Sequence, residues 1–160
     1  MPVDVGNVPM NARRAIEAEL AKRIFEAALP SLGEAGALAI LNAAIDGAAF
    51  EAGRAFAAKA PGGAPSLEHF AGVLDLWRAG GALDIADIKR TDETLGFTVT
   101  RCGYMEMYAE MGLPRELFAT LSCRRDAAFA TGYSPKLSLE RPKTISEGAA
   151  CCLFRFLWRG

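Results

Sequence analysis

The sequence predicts an α+β fold in which an all-helical N-terminal half precedes an antiparallel sheet of about four strands, arranged as two hairpin-like pairs against about five helices. Three observations predict it. Apolar residues recur at helical spacing as far as residue 80, and the period shortens to two from residue 82. Firm Gly and Pro breaks then divide the chain into three helices, two strands, two helices and two strands. Runs of like elements, without βαβ alternation, put the helices on one face of an antiparallel sheet.

Asn11 is placed to cap a first helix over residues 13–29, with Ile16, Leu20 and Ile24 at four-residue spacing and Glu17, Lys22 and Glu26 facing elsewhere. Pro30 stops it. Ser31 with Glu34 has capping-box spacing and opens a second helix to about residue 59. Leu38, Leu41, Ile45 and Phe56 mark its apolar side, among alanines and glycines small enough to admit a close neighbour. After the Pro61-Gly62-Gly63-Ala64-Pro65 break, Ser66 and Glu68 begin a third helix carrying Phe70, Val73, Leu74 and Trp77, and Gly80-Gly81 ends it.

Residues 82–89 alternate, with Leu83, Ile85 and Asp87 on one side. Thr91 to Thr94 supply a turn, and residues 96–102 alternate again through Phe97, Val99 and Arg101. A short helix over 104–111 closes at Gly112. Pro114 introduces a helix over about 115–130, and Gly132 and Pro135 break the chain again. Residues 136–141 and 150–158 form the last two strands.

At 160 residues the chain suits one domain, 1–160, with a helical part over 10–80 and a motif-bearing part over 82–158. A net charge of −1 with scattered basic residues gives little support to nucleic-acid binding, which runs on many phosphate contacts. Residues 1–10 hold no apolar stretch of signal-peptide length. Residues 35–60 are apolar but interrupted by Asn42, Asp46, Glu51 and Arg54, so they read as a buried helix and not a membrane span. A cytoplasmic location follows as the expectation, with Cys102, Cys123, Cys151 and Cys152 reduced. The small-residue helix faces suit a homo-oligomer as well as an internal core.

The chemistry-bearing residues collect after residue 100. Cys102, Cys123 and Cys152 sit at a strand end, on a helix and on a strand. Their spacings lack the close pairs of a structural zinc site, so neither metal nor cofactor is expected. Cys123 and Asp126, three apart, share a helical face. The carboxylate alone would raise the thiol's pKa, and an ion pair of Asp126 with Arg124, Arg125 or Arg141 is the competing reading. Arg141 and Thr144, with Gly148 and Arg155, could clamp a carboxylate. His69, the sole histidine, has no partners at triad spacing. Met105, Met107 and Met111 read as core filling.

Cys102 with the helix bearing Tyr104, Gly112-Leu113-Pro114, Cys123-x-x-Asp126, Ser134-Pro135, Arg141-x-x-Thr144-Ile145, Gly148 and Cys152-x-Phe154-Arg155-Phe156 occur in an order that resembles the bacterial L-2-amino-thiazoline-4-carboxylic acid hydrolase family. The resemblance spans residues 83–156. It implies a hydrolase that opens a small cyclic isothiourea to a carbamoyl-cysteine. In that reading Cys123 or Cys152 is the nucleophile and Asp126 the general base or orienting acid. Arg141 and Thr144 hold the substrate carboxylate, and Cys102 and Tyr104 line the pocket. Two positions depart from the family's pattern: Ser134 stands where Asn is frequent, and Leu153 where Asp commonly follows the last cysteine. Leu153 motivates the alternative of a non-catalytic, small-molecule-binding member. The three cysteines motivate a thiol or metal sensor.

Overall fold

The computed structural model describes residues 7–160. The first six residues of the N-terminal segment considered above lie outside the described residues. Helix α1 (Met10–Ala57) is followed by the short α2 (Leu67–Ala71) and α3 (Val73–Trp77), then by strands β1 (Leu83–Arg90) and β2 (Thr94–Cys102). Helix α4 (Gly103–Glu110) leads to α5 (Glu116–Phe118), a π-helical turn over Ala119–Cys123, and α6 (Arg124–Tyr133). Strands β3 (Leu137–Glu140) and β4 (Cys152–Trp158) complete an antiparallel sheet of order β1-β2-β4-β3. The fold is α+β, with the N-terminal half helical.

The two long helices expected before residue 60 are two arms of α1. The break falls at Gly33 (φ 66°, ψ 176°), and not at Pro30 or Ser31, which stay helical. A straight helix of 48 residues would be about 72 Å long. Yet Arg14 and Ala49 line one cavity, and Phe25 shares a core cluster with Leu41 and Ile45. The arms therefore fold back on each other, and a left-handed backbone at Gly33 makes the reversal without a Cβ clash. The helix begins at Met10 behind Pro9, so Asn11 lies in the first turn instead of capping it. Ser66 does cap α2, accepting the His69 amide at 3.1 Å, but the expected third helix divides at Gly72 into α2 and α3.

The apolar stretch of α1 is less buried than its composition suggests. Only 17% of its most apolar 18-residue stretch is buried. Along the helix, Ala37, Leu41, Ile45 and Ala49 face inward while Leu32, Ile40 and Phe50 remain exposed.

Gly132 does not break the chain. It lies inside α6, where a Cβ would strike the Phe50 carbonyl oxygen, and Gly53 of α1 meets the Phe129 carbonyl oxygen in the same way. The two glycines let the second arm of α1 and α6 touch backbone to backbone. Thr120 donating to Asn42 Oδ1 (2.9 Å) and Arg124 to Asp46 Oδ2 (2.7 Å) hold the same helices along their length.

One face of the sheet is covered. Leu95, Phe97 and Val99 of β2 pair with Phe156, Phe154 and Cys152 of β4, and all six side chains are buried. Phe97 and Phe154 stack at 4.7 Å, and Phe70 from α2 packs edge-on to Phe156 at 4.8 Å. The alternation slips twice. Asp87 (φ 55°) sits in a bulge of β1 and is exposed, not inward. In β2, Asp84 pairs with Arg101 but Ile85 with Val99, which leaves Thr100 as an extra residue.

The glycine contact gives the first test. Gly53→Ala and Gly132→Ala should each cost about 3 kcal/mol or more in denaturant unfolding, since the obstacle is backbone that cannot rotate away. Gly47→Ala, with open space around its Cβ, should be neutral or stabilising by about 0.5–1 kcal/mol. Equal effects at all three positions would contradict the close-contact account.

Candidate functional site

A cavity of about 280 Å³ opens between the two arms of α1, the π turn with α6, and the inner face of the sheet. Ser122, Arg125, Asp126 and Phe129 recur at i, i+3, i+4 and i+7 and share one helical face, with Cys123, three before Asp126, at its edge; all five line the cavity. Ser122 and Cys123 belong to the π turn at Ala119–Cys123. The extra residue in β2 redirects the strand end. Val99 faces in, and after Thr100 the parity reverses, so Cys102 lines the cavity. Arg101, expected in the inward series, is exposed and pairs with Glu106.

Five of the residues singled out in the sequence meet here: Cys102, Tyr104, Cys123, Asp126 and Cys152. Arg141 and Thr144 stand outside the lining. Arg141 lies behind Asp126, giving one Nη to its Oδ2 and the other to the Cys123 carbonyl at 2.9 Å, with its guanidinium 5.2 Å from the Phe154 ring. Thr144 is buried, with its hydroxyl on Glu147 Oε2 (2.7 Å) and Ser146 Oγ (2.9 Å). His69 stacks on Phe56 at 4.6 Å and reaches Tyr133 Oη at 2.9 Å, away from the cavity lining.

Each thiol has a defined neighbour. Cys123 Sγ donates to Ser146 Oγ at 3.2 Å, and Cys152 Sγ accepts the Ile145 amide at 3.2 Å. Cys102 stands at the start of α4, where the Tyr104 and Met105 amides pull its thiol pKa down. Burial pushes all three thiols up, Cys123 to about 11, against the smaller opposing pull of these hydrogen bonds. Asp126 is pushed up to about 6 by burial, with the Arg141 guanidinium acting in the opposite direction. Among the described residues, no group of three or more His, Cys, Asp or Glu side chains is disposed to hold a metal ion.

Other parts of the cavity wall carry no signal in the sequence. Arg13, Arg14 and Glu17 come from the first turns of α1, Trp77 from α3, and Ala48, Ala49 and Ala52 from the second arm. Glu17 Oε2 accepts from both Arg14 (2.7 Å) and Arg125 (2.6 Å). A surface-helix pattern hides these residues, because their neighbours at the site come from distant segments of the chain.

The two departures from the family pattern have plain structural readings. Ser134 Oγ accepts the Lys136 amide at 3.2 Å, the turn bond an Asn side chain would also make. Leu153 pairs with Thr98, lies on the face opposite Cys152 and Phe154, and is exposed. Position 153 therefore points away from the cavity.

Among known proteins, no curated protein and no solved structure matches the chain. A family model does, over residues 13–156, which takes in the arginines of α1 as well as the cysteine-bearing half. The chain belongs to the L-2-amino-thiazoline-4-carboxylic acid hydrolase family.

Proposed function

We propose that the protein hydrolyses a small cyclic isothiourea of the 2-amino-thiazoline-4-carboxylate type, with Asp126 activating a water. The carrying observation is a mostly buried carboxylate, tuned to about 6, in a cavity shared with three thiols. Family membership supplies hydrolase activity in general. The choice of nucleophile is our own reading.

Magnitudes favour water over Cys123. A thiol with a pKa of about 11 is ionised in about one molecule in 10⁴ at pH 7, whereas a carboxyl group at about 6 is about nine-tenths ionised. A carboxylate held near 6 is also a stronger base than an ordinary aspartate. The Ser146 hydrogen bond pulls the Cys123 thiol back down, but by less than burial raises it.

The step balances without a cofactor. Asp126 takes one proton as the water oxygen bonds to the amidine-like ring carbon, and the C=N electron pair moves onto the ring nitrogen. The second water proton passes from the new hydroxyl to that nitrogen. As the carbon–oxygen double bond forms, the bond from carbon to the ring sulfur breaks, and Asp126 returns its proton to the departing sulfur. The product carries a carbamoyl group on nitrogen and a free thiol. Arg141, fixed by Asp126 and the Cys123 carbonyl, orients the carboxylate from behind. Cys102, Cys123, Cys152 and Tyr104 shape the wall around the ring. Leu153, on the outer face, gives no structural support to loss of catalysis.

Two measurements test this. Asp126→Asn should lower kcat at least about 100-fold, while Cys123→Ser and Cys152→Ser retain most of the rate. The wild-type kcat/KM should rise with pH through about 6, as the carboxylate ionises. Abolished turnover in a cysteine variant, with Asp126→Asn still active, would assign the attack to sulfur.

The same carboxyl group makes stability pH-dependent. Its pKa is raised on folding from 3.8 to about 6, so between these values the native state holds a proton that the unfolded chain has lost. Its contribution to stability is largest below about 4 and falls by about 3 kcal/mol as pH rises through about 6. Urea midpoints across this window should show that slope in the wild type and lose it in Asp126→Asn.

A further inference from the structure

We infer that Arg14 and Arg125, bridged by Glu17, form an anion anchor in the cavity wall, and that it takes the carboxylate of the ring substrate. The inference rests on the hydrolase reading for the ring but not for the anion. Both guanidiniums line the cavity and both donate to the same oxygen, Glu17 Oε2, at 2.7 and 2.6 Å. One carboxylate between two arginines leaves the cluster with an excess positive charge.

The cluster is built, not incidental. The Arg125 side chain is 10% exposed and that of Arg14 18%, and Arg125 Nε is fixed on the Leu121 carbonyl at 2.7 Å. Among the described residues Arg14 donates only to Glu17, so its remaining N–H donors are available. The neighbouring Tyr108 hydroxyl is fully buried and has no hydrogen-bond partner among the described residues. Arg125 is pulled below its ordinary pKa, first by burial and then by Arg14, as expected where positive charge is under-compensated. An incoming carboxylate relieves that crowding through charge-assisted hydrogen bonds.

Arg141 cannot do the same work. One of its Nη atoms is on Asp126, the other on the Cys123 carbonyl, and the side chain is outside the lining. The cavity wall thus holds a pair of arginines as well as a buried carboxylate with thiols. A ring bearing a carboxylate on one side and an amidine on the other is oriented when its carboxylate takes the arginines and its amidine carbon meets Asp126.

Calorimetric titration with 2-amino-2-thiazoline-4-carboxylate, and with 2-amino-2-thiazoline, which lacks the carboxylate, tests the anchor. The wild type should bind the carboxylated compound at least about tenfold more tightly, and Arg14→Gln should abolish that preference while binding the other compound unchanged. A folded Arg14→Gln that keeps the preference overturns the anchor. Should Arg14→Gln fail to fold, Arg14→Lys decides: a selective loss for the carboxylated compound supports the anchor, and equal loss for both overturns it. Selective binding without turnover keeps the anchor and sinks the hydrolase reading, whereas turnover with an unchanged preference in Arg14→Gln does the reverse.

Discussion

The site depends on one contact, the crossing of α1 over α6 at Gly53 and Gly132. Each glycine faces a carbonyl oxygen of the other helix, so the axes approach as closely as two backbones permit. That spacing sets the cavity's dimensions, because Ala48, Ala49 and Ala52 on the same arm face Arg125, Asp126 and Phe129 on α6. Methyl-sized walls on one side leave room for a small molecule on the other. A Cβ at the crossing would push the helices apart, lift the alanine wall and strain the Asp46–Arg124 pair farther along. The crossing acts with the reversal at Gly33, which returns the first arm so that Glu17 reaches Arg125.

On that frame, a departure from regular secondary structure places one of the thiols. A regular strand would present Arg101 where Cys102 now lies, and the π turn is a second irregularity beside the site. Each irregularity forfeits some backbone regularity and is held by tertiary contact. Leu117 before the π turn and Leu121 within it are fully buried, and Gly103, just past the end of β2, gives its amide to the Ala82 carbonyl at 2.7 Å. Local rules fail here because the site needs side-chain directions that those rules do not offer.

This also explains how much could be read from the sequence. The change of period at residue 82, the hairpin turn and the antiparallel order are local or nearly local signals, and the fold class follows from them. Gly132 misleads for a definite reason. In isolation a glycine near a proline reads as a break, and only its partner Gly53, far away in the chain, reveals it as a packing residue. The cysteines and Asp126 are conspicuous by type and spacing, so their meeting in one cavity was open to anticipation. Arg14 and Glu17 look like the polar side of an ordinary helix, and nothing in their spacing signals Arg125. Arg141 was legible as an arginine near a strand, but its hydrogen bonds face inward to Asp126 and Cys123, which only packing decides.

The two carboxylates of the cavity show how burial and pairing separate roles. Glu17 stands between two guanidiniums and holds like charges together in the cavity wall. Asp126 has one guanidinium and a mostly buried surround, so desolvation outweighs the ion pair and leaves a carboxyl group that exchanges its proton near pH 6. A second arginine on Asp126 would fix it as an anion and weaken it as a base. Without Arg141, burial would drive it further towards the neutral acid, which cannot accept a proton. Arg141 therefore serves the site best from behind the wall, setting the basicity of Asp126 while leaving the cavity face of the carboxylate open. That division needs a separate source of positive charge for an anionic ligand, and Arg14 and Arg125 in the cavity wall supply it.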